Sequence, residues 1–256
     1  MVYSTMIYFQ LMLKRILMRM LKYLSIPQLE SLIYQLLSSR TDEMSSDEAL
    51  RLLFRLDAAL YSLEGKKAVD YDGGIHTKHR HTRYHDFFIN NIQTDEHILD
   101  IGCGIGALAY DVAEKSQAHV AAIDISPNNI AKASKRYNHP RVRYIVGDVM
   151  QKLPDGTFDV VILSNVLEHL KERPVFLRRI SEAVSPSRFL IRVPLFERDW
   201  RVPLKRELGV EWRLDPTHET EYTLESFAKE MAVAGLRIDC QVVRWGEIWA
   251  VTLLNE

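Results

Sequence analysis

A chain of 256 residues with 47% hydrophobic and 26% charged side chains has a globular composition, and it is long enough for one full α/β domain with an appendage. Its 33 Lys and Arg against 34 Asp and Glu leave a formal charge of -1, which argues against nucleic-acid binding, since phosphate recognition needs concentrated positive charge. The two cysteines, Cys103 and Cys240, are too few for a disulfide framework or a four-cysteine zinc site and point to a reducing, cytoplasmic compartment.

The chain opens on an apolar stretch, Met6 to Leu24, interrupted by Lys14, Arg15, Arg19 and Lys22. Those charges make it an amphipathic helix rather than a transmembrane span or a signal peptide. Arg15, Arg19 and Lys22 share one helical face, so the helix can pack on the rest of the chain, join a homodimer interface or lie on an anionic membrane surface. Ile26–Leu37 is a second helix with Pro27 in its first turn, and Ser46–Leu63 a third, with Leu50, Leu53, Phe54, Leu56 and Leu60 at helical spacing. Gly73-Gly74 breaks the chain, and Thr77–Asn91 reads as one further helix. No strand is expected before Asn91, so residues 1–91 form a helical region expected to cover the substrate side.

From His97 onward the pattern alternates. Ile98–Ile101, Val120–Ile123, Val142–Val146, Val160–Leu163 and Phe189–Val193 are apolar runs of strand length, separated by helical stretches at Leu108–Lys115, Asn128–Tyr137 and Val175–Ala183. That alternation predicts a parallel sheet covered by helices on both faces. Leu236–Arg244, a Trp245-Gly246 turn and Glu247–Leu254 predict an antiparallel hairpin. The expected fold over residues 92–256 is a Rossmann-like, doubly wound, seven-stranded sheet, mostly parallel, with an insertion at residues 194–221.

The segment Asp100-Ile-Gly102-Cys-Gly104-Ile-Gly106-Ala carries most of the functional inference. A strand runs into a glycine-dense turn and then a helix, which lets backbone approach a ligand closely. Gly102, Gly104 and Ala107 also satisfy the dinucleotide fingerprint G-x-G-x-x-A, so a nicotinamide-type oxidoreductase is one reading. Asp100 opposes it, because a carboxylate there repels a pyrophosphate and attracts the ammonium and sulfonium of S-adenosylmethionine. Asp124 ends the second strand where an acid can accept ribose hydroxyls, with Ile125 beside it. Gly147-Asp148-Val149 follows the third strand, and Ser164-Asn165-Val-Leu-Glu168-His169-Leu170 the fourth, so polar residues recur where open α/β sheets bind ligands.

Together these segments resemble class I S-adenosylmethionine-dependent methyltransferases of the ubiquinone-biosynthesis O-methyltransferase type, from roughly Thr77 to the C-terminus. The resemblance implies that Asp100, Gly102, Gly104 and Gly106 contact the methionine part, Asp124 the ribose, and Asp148 and Val149 the adenine. Asn165 would lie beneath the sulfonium. It also implies an arginine from the preceding helix on the cofactor carboxylate, for which Arg80 is favoured over Arg83.

An oxygen nucleophile needs a proton acceptor, and His169 and His218 are the candidates. Small-RNA 2′-O-methyltransferases among the wider relatives bind a divalent metal through E-x-x-E-H plus a distant histidine. Here Asn165 stands in the first glutamate's place, leaving Glu168, His169 and His218, so no metal is expected. The insertion mixes Phe196, Arg198, Trp200, Arg201, Lys205, Arg206, Trp212 and Arg213, which suits a small-molecule or glycan acceptor, or equally a cover packed on the core. A non-catalytic scaffold is the third reading, opposed by the intact glycine loop and Asp124.

Overall fold

The computed structural model describes Met12 and residues 15–255. They divide into two compact units, residues 1–58 and 59–256, and each is described by itself. In the first, residues 15–21 are helical, while most of the first half of the predicted Met6–Leu24 helix lies outside the described residues. A helix spans Ile26–Asp42, with Pro27 in its first turn and the Ser25 amide donating to Gln28 Oε1 at 2.9 Å. It buries no residue, and Ile26, Tyr34 and Leu36 stand exposed. The following helix, Ser46–Tyr71, buries Phe54 and outruns the predicted end at Leu63. Gly65 is absorbed into it, and the chain stops at the left-handed pair Gly73-Gly74.

The second unit is built on seven strands: β1 His97–Ile101, β2 His119–Asp124, β3 Val142–Val146, β4 Val160–Ser164, β5 Arg188–Pro194, β6 Leu236–Arg244 and β7 Glu247–Leu254. Their order is β3-β2-β1-β4-β5-β7-β6. The first five are parallel, and β7 runs antiparallel to both β5 and β6. The central strands are continuous apolar runs because both faces are covered. Leu99, Ile101, Val161 and Leu163 enter one core layer, and Ile98, Val160 and Ile162 the other. The chain reverses direction across the sheet between β1 and β4, which opens a crevice at their carboxyl ends. Among the described residues no helix is long and apolar enough to cross a membrane.

One expected element divides. Thr77–Asn91 forms two short helices, Lys78–Thr82 and Tyr84–Asn90, separated by Arg83 at φ 52°. The break folds the first piece back on the second, so that His79 meets Tyr84 and His85. The hairpin turn is Trp245-Gly246, as predicted, with both residues at positive φ.

Candidate active site

A cavity of about 730 Å³ opens at the carboxyl ends of β1, β4 and β5. Asp100, Gly102 and Gly104 form one side, Ser164 and Asn165 the floor, and His218 with Leu214 the insertion side. Tyr61, His76, Lys78 and His79 come from the segment preceding β1, and Trp245 from the hairpin.

Asp100 is 1% exposed, and its Oδ2 has no hydrogen-bond partner. Burial, reinforced by the nearby Asp124 charge, pushes its carboxyl up to about 8. A lone buried acid facing a cavity is costly, and a cationic group in that cavity removes the cost. Gly104 stands beside it at φ 56°, and a Cβ there would meet nothing within 4 Å. Gly102 and Gly106 differ: a Cβ would approach Val166 or Tyr144 to 2.7 Å, so these two are demanded by packing. Open space at Gly104 beside an unpaired carboxylate is a cradle suited to an amino-acid ammonium.

Asp124 braces that cradle. Its carboxylate accepts from the amides of Gly104 at 2.9 Å and Ser126 at 2.8 Å, and from Asn129 Nδ2 at 3.2 Å. Ile125 beside it is 70% exposed. Asp148 accepts from the Met150 amide at 2.8 Å, and Val149 packs against the core edge. Asn165 adopts φ 59°, which its short polar side chain tolerates, and its Oδ1 is buried without a partner.

Arg80 is placed elsewhere. It lies in a neighbouring pocket with Arg83 and His85, and its Nε is 3.5 Å from Asp72 Oδ2. The segment presents Lys78, His79, Thr82 and Tyr84 to the main cavity instead. Burial lowers the Lys78 ammonium, with the Arg192 charge adding to the shift.

The fourth strand's sequel forms a polar cluster. Glu168 is fully buried, neither carboxylate oxygen has a hydrogen-bond partner, and burial pushes it up to about 7. His218 is 5% exposed, and its Nδ1 lies 3.0 Å from Glu221 Oε1. Arg198 pairs with the other oxygen of Glu221. With Nδ1–H donated to that carboxylate, the ring's Nε2 is left as an acceptor. His169 is exposed, accepts at Nδ1 from or donates to Thr217 Oγ1 at 3.0 Å, and sits edge-on to His218 with centroids 4.7 Å apart. One ligand atom each from Glu168, His169 and His218 converge within 4.8 Å, a donor set that fits a divalent ion as well as a proton.

Arg192 and Glu247 also line this cavity, although neither was expected there from the sequence. The Arg192 guanidinium bonds Glu247 through Nε at 2.7 Å and Nη2 at 2.6 Å and lies 3.8 Å from the Tyr84 ring centre. An arginine inside the otherwise apolar run Phe189–Val193 was the available signal. In the insertion, Phe196 and Trp212 stack edge-to-face with the Arg206 guanidinium over both, so much of its aromatic content packs on itself.

Residues 99–191 match the family model described as a methyltransferase domain. The chain is 30% identical over 150 residues to the 2-methyl-6-phytyl-1,4-hydroquinone methyltransferase of Synechocystis, covering 54% of this chain and 46% of that protein. It is 37% identical over 134 residues to the mitochondrial ubiquinone biosynthesis O-methyltransferase of Schizosaccharomyces pombe, covering 48% of each. It thus spans about half the length of these curated relatives. A solved complex of the Haloferax volcanii Trm112 methyltransferase activator with a methyltransferase superposes with a TM-score of 0.58 at 16% identity, over 74% of this chain and 96% of that one. Residues 99–191 are therefore similar to a methyltransferase domain. The resemblance to class I S-adenosylmethionine-dependent methyltransferases, the ubiquinone O-methyltransferases among them, holds in motif and in fold.

Proposed function

We propose that the protein is an S-adenosylmethionine-dependent methyltransferase acting on a hydroxyl of a small-molecule or glycan acceptor. The observation that carries the reading is the unpartnered buried carboxylate of Asp100 beside the open Gly104 cradle. A dinucleotide pyrophosphate meets repulsion there, whereas the amino-acid end of S-adenosylmethionine supplies the missing cation. Asp100, Gly102 and Gly104 would hold that end, Asp124 and Ile125 the ribose and its surroundings, and Asp148 with Val149 the adenine. When bound, the cofactor supplies an activated methyl group on a sulfonium.

What remains for this chain is to orient an acceptor, exclude water and receive a proton. His218, held by Glu221 and Arg198, presents Nε2 to take that proton, and Glu168 with its raised pKa is a second acceptor within the same cluster. One relative is named as an O-methyltransferase of ubiquinone biosynthesis and another acts on a hydroquinone, and the exposed Tyr61 and Trp245 rings beside the cavity suit a flat acceptor of that kind. The free thiols Cys103 and Cys240 fit a cytoplasmic setting. Contact with a membrane surface through the N-terminal segment, and homodimerisation, belong to the same reading.

A second reading is favoured by the two orphaned oxygens of Glu168: with His169 and His218 it would hold a divalent ion that acidifies the acceptor hydroxyl. Calorimetric titration tests the first reading. S-Adenosylhomocysteine should bind and NAD should not; the reverse would refute methyl transfer in favour of an oxidoreductase.

A further inference from the structure

A chain of hydrogen bonds crosses the wall between two cavities. Asp111 Oδ2 lies 2.7 Å from His85 Nδ1, and His85 Nε2 lies 3.1 Å from His79 Nδ1. Tyr84 Oη is also 3.1 Å from His79 Nδ1. His85 and Asp111 line the pocket that holds Arg80, whereas His79 lines both that pocket and the main cavity beside Asp100. His79 Nε2 has no protein partner among the described residues.

Resting on the methyltransferase reading, we propose that the Asp111–His85–His79 chain is a proton relay that turns His79 Nε2 into the hydrogen-bond donor for the carboxylate of the bound cofactor. The geometry carries the argument. His85 Nδ1 faces a carboxylate and so bears a proton. Two imidazole nitrogens 3.1 Å apart must then share one further proton. In the empty cavity that proton sits on His79 Nδ1, and Nε2 is a bare acceptor that repels an anion. When a carboxylate enters, the shared proton moves to His85 Nε2, and one proton from water is taken up at His79 Nε2. His85 then carries a positive charge against Asp111, and His79 stays neutral with its N–H turned toward the anion. Burial, with the His85, Lys78, Arg192 and His76 charges adding to it, pushes His79 down to about 4, so it does not hold a second proton by itself. The charged and titratable groups around the relay are Asp111, Lys115, Arg80, Arg83, Asp86, Tyr110 and Tyr137 on the side of His85, and His76, Lys78, Tyr84, Asp100, Arg192 and Glu247 on the side of the main cavity.

The test compares S-adenosylhomocysteine with its decarboxylated analogue, which keeps the ammonium and so the contact to Asp100. The full-length protein should prefer the carboxylated ligand by about 10- to 100-fold, the range of a charge-assisted hydrogen bond. It should also take up more protons with that ligand, read by calorimetry in two buffers. In His79→Ala the preference should fall to about 3-fold or less while the analogue keeps its affinity, which doubles as the folding control. Asp111→Asn should lower the preference and the proton uptake together. Imidazole nitrogen NMR of the wild type should show the His79 proton moving to Nε2 on adding the carboxylated ligand. A preference that survives His79→Ala, or one that collapses in Lys78→Met instead, overturns the relay while leaving the methyltransferase reading intact. Failure of both ligands to bind the wild type overturns both.

Discussion

Replacing Asp100 by asparagine should make the ligand-free protein more stable and the cofactor site nearly useless. The folded carboxyl is pushed from 3.8 up to about 8, so its ionisation is penalised by burial. A folded pKa above the unfolded one means that the neutral acid's stability is complete below pH 3.8 and is eroded as pH rises toward 8. At about 1.4 kcal/mol per unit, the erosion at pH 7 approaches roughly 4 kcal/mol, and water entering the open cavity reduces it to about 2–4 kcal/mol. Asparagine keeps the shape and cannot ionise. Urea unfolding of both proteins from pH 5 to pH 8 should show a gap that widens steadily with pH. All four tryptophans fall between Trp200 and Trp249, so their fluorescence reports on the unit that contains Asp100. S-Adenosylhomocysteine affinity should fall about 10- to 100-fold, because the ammonium loses a charged acceptor. A stability gap that does not change with pH would show that Asp100 is ionised and partnered in the folded protein, which would refute the argument from its isolation.

Gly104→Val should abolish S-adenosylhomocysteine binding by calorimetry while costing only about 1–2 kcal/mol in stability, since φ 56° is strained for valine yet its Cβ meets no protein atom. Asp124→Ala should weaken the same binding by about 1–3 kcal/mol, because the loop amide of Gly104 loses its brace along with any ribose contact. His218→Ala and Glu168→Gln should lower turnover at least about tenfold with cofactor affinity unchanged, as general-base loss does. Activity that is removed by EDTA and restored by a divalent ion would instead assign Glu168, His169 and His218 to a metal.

The central strands were legible because they are apolar runs buried on both faces: Ile98–Ile101 and Val160–Leu163 each extend by one residue, and Val120–Ile123 and Phe189–Val193 by one at both ends. Val142–Val146, Leu236–Arg244 and Glu247–Leu254 match the predicted bounds although the first two are largely uncovered, because turn residues delimit them in the sequence. The glycine loop and Asp124 were legible because their roles depend on position in a strand–turn–helix unit. The Arg83 break was not, since nothing in an arginine announces a left-handed backbone, and only the contacts of His79 with Tyr84 and His85 account for it. Arg80 was chosen by its distance along the chain from Asp100, and that break turns it toward a different pocket. Glu168 stood in plain view, but the unmet hydrogen-bonding demand of its oxygens appears only once the insertion closes over it, with the Glu219 and Thr220 amides donating to its carbonyl.

The insertion leaves and re-enters the sheet through a closed neck. The Phe196 amide donates to the Tyr222 carbonyl at 2.7 Å, and the Tyr222 amide donates to Pro194 at 3.2 Å. Arg198 ties the interior to that neck by donating to the Leu195 carbonyl at 3.0 Å and the Trp212 carbonyl at 2.9 Å. Its Cβ also fills the space beside Gly246, where an added methyl would come within 2.8 Å. The neck holds the ends of the segment together, and the closure entropy rises only slowly with the length between them, by about 0.6 kcal/mol per doubling. A donor loop grafted between Leu195 and Tyr222 would close on the same neck, provided that it keeps an arginine to stand against Gly246 and replaces the His218–Glu221 pair that leaves with the native segment.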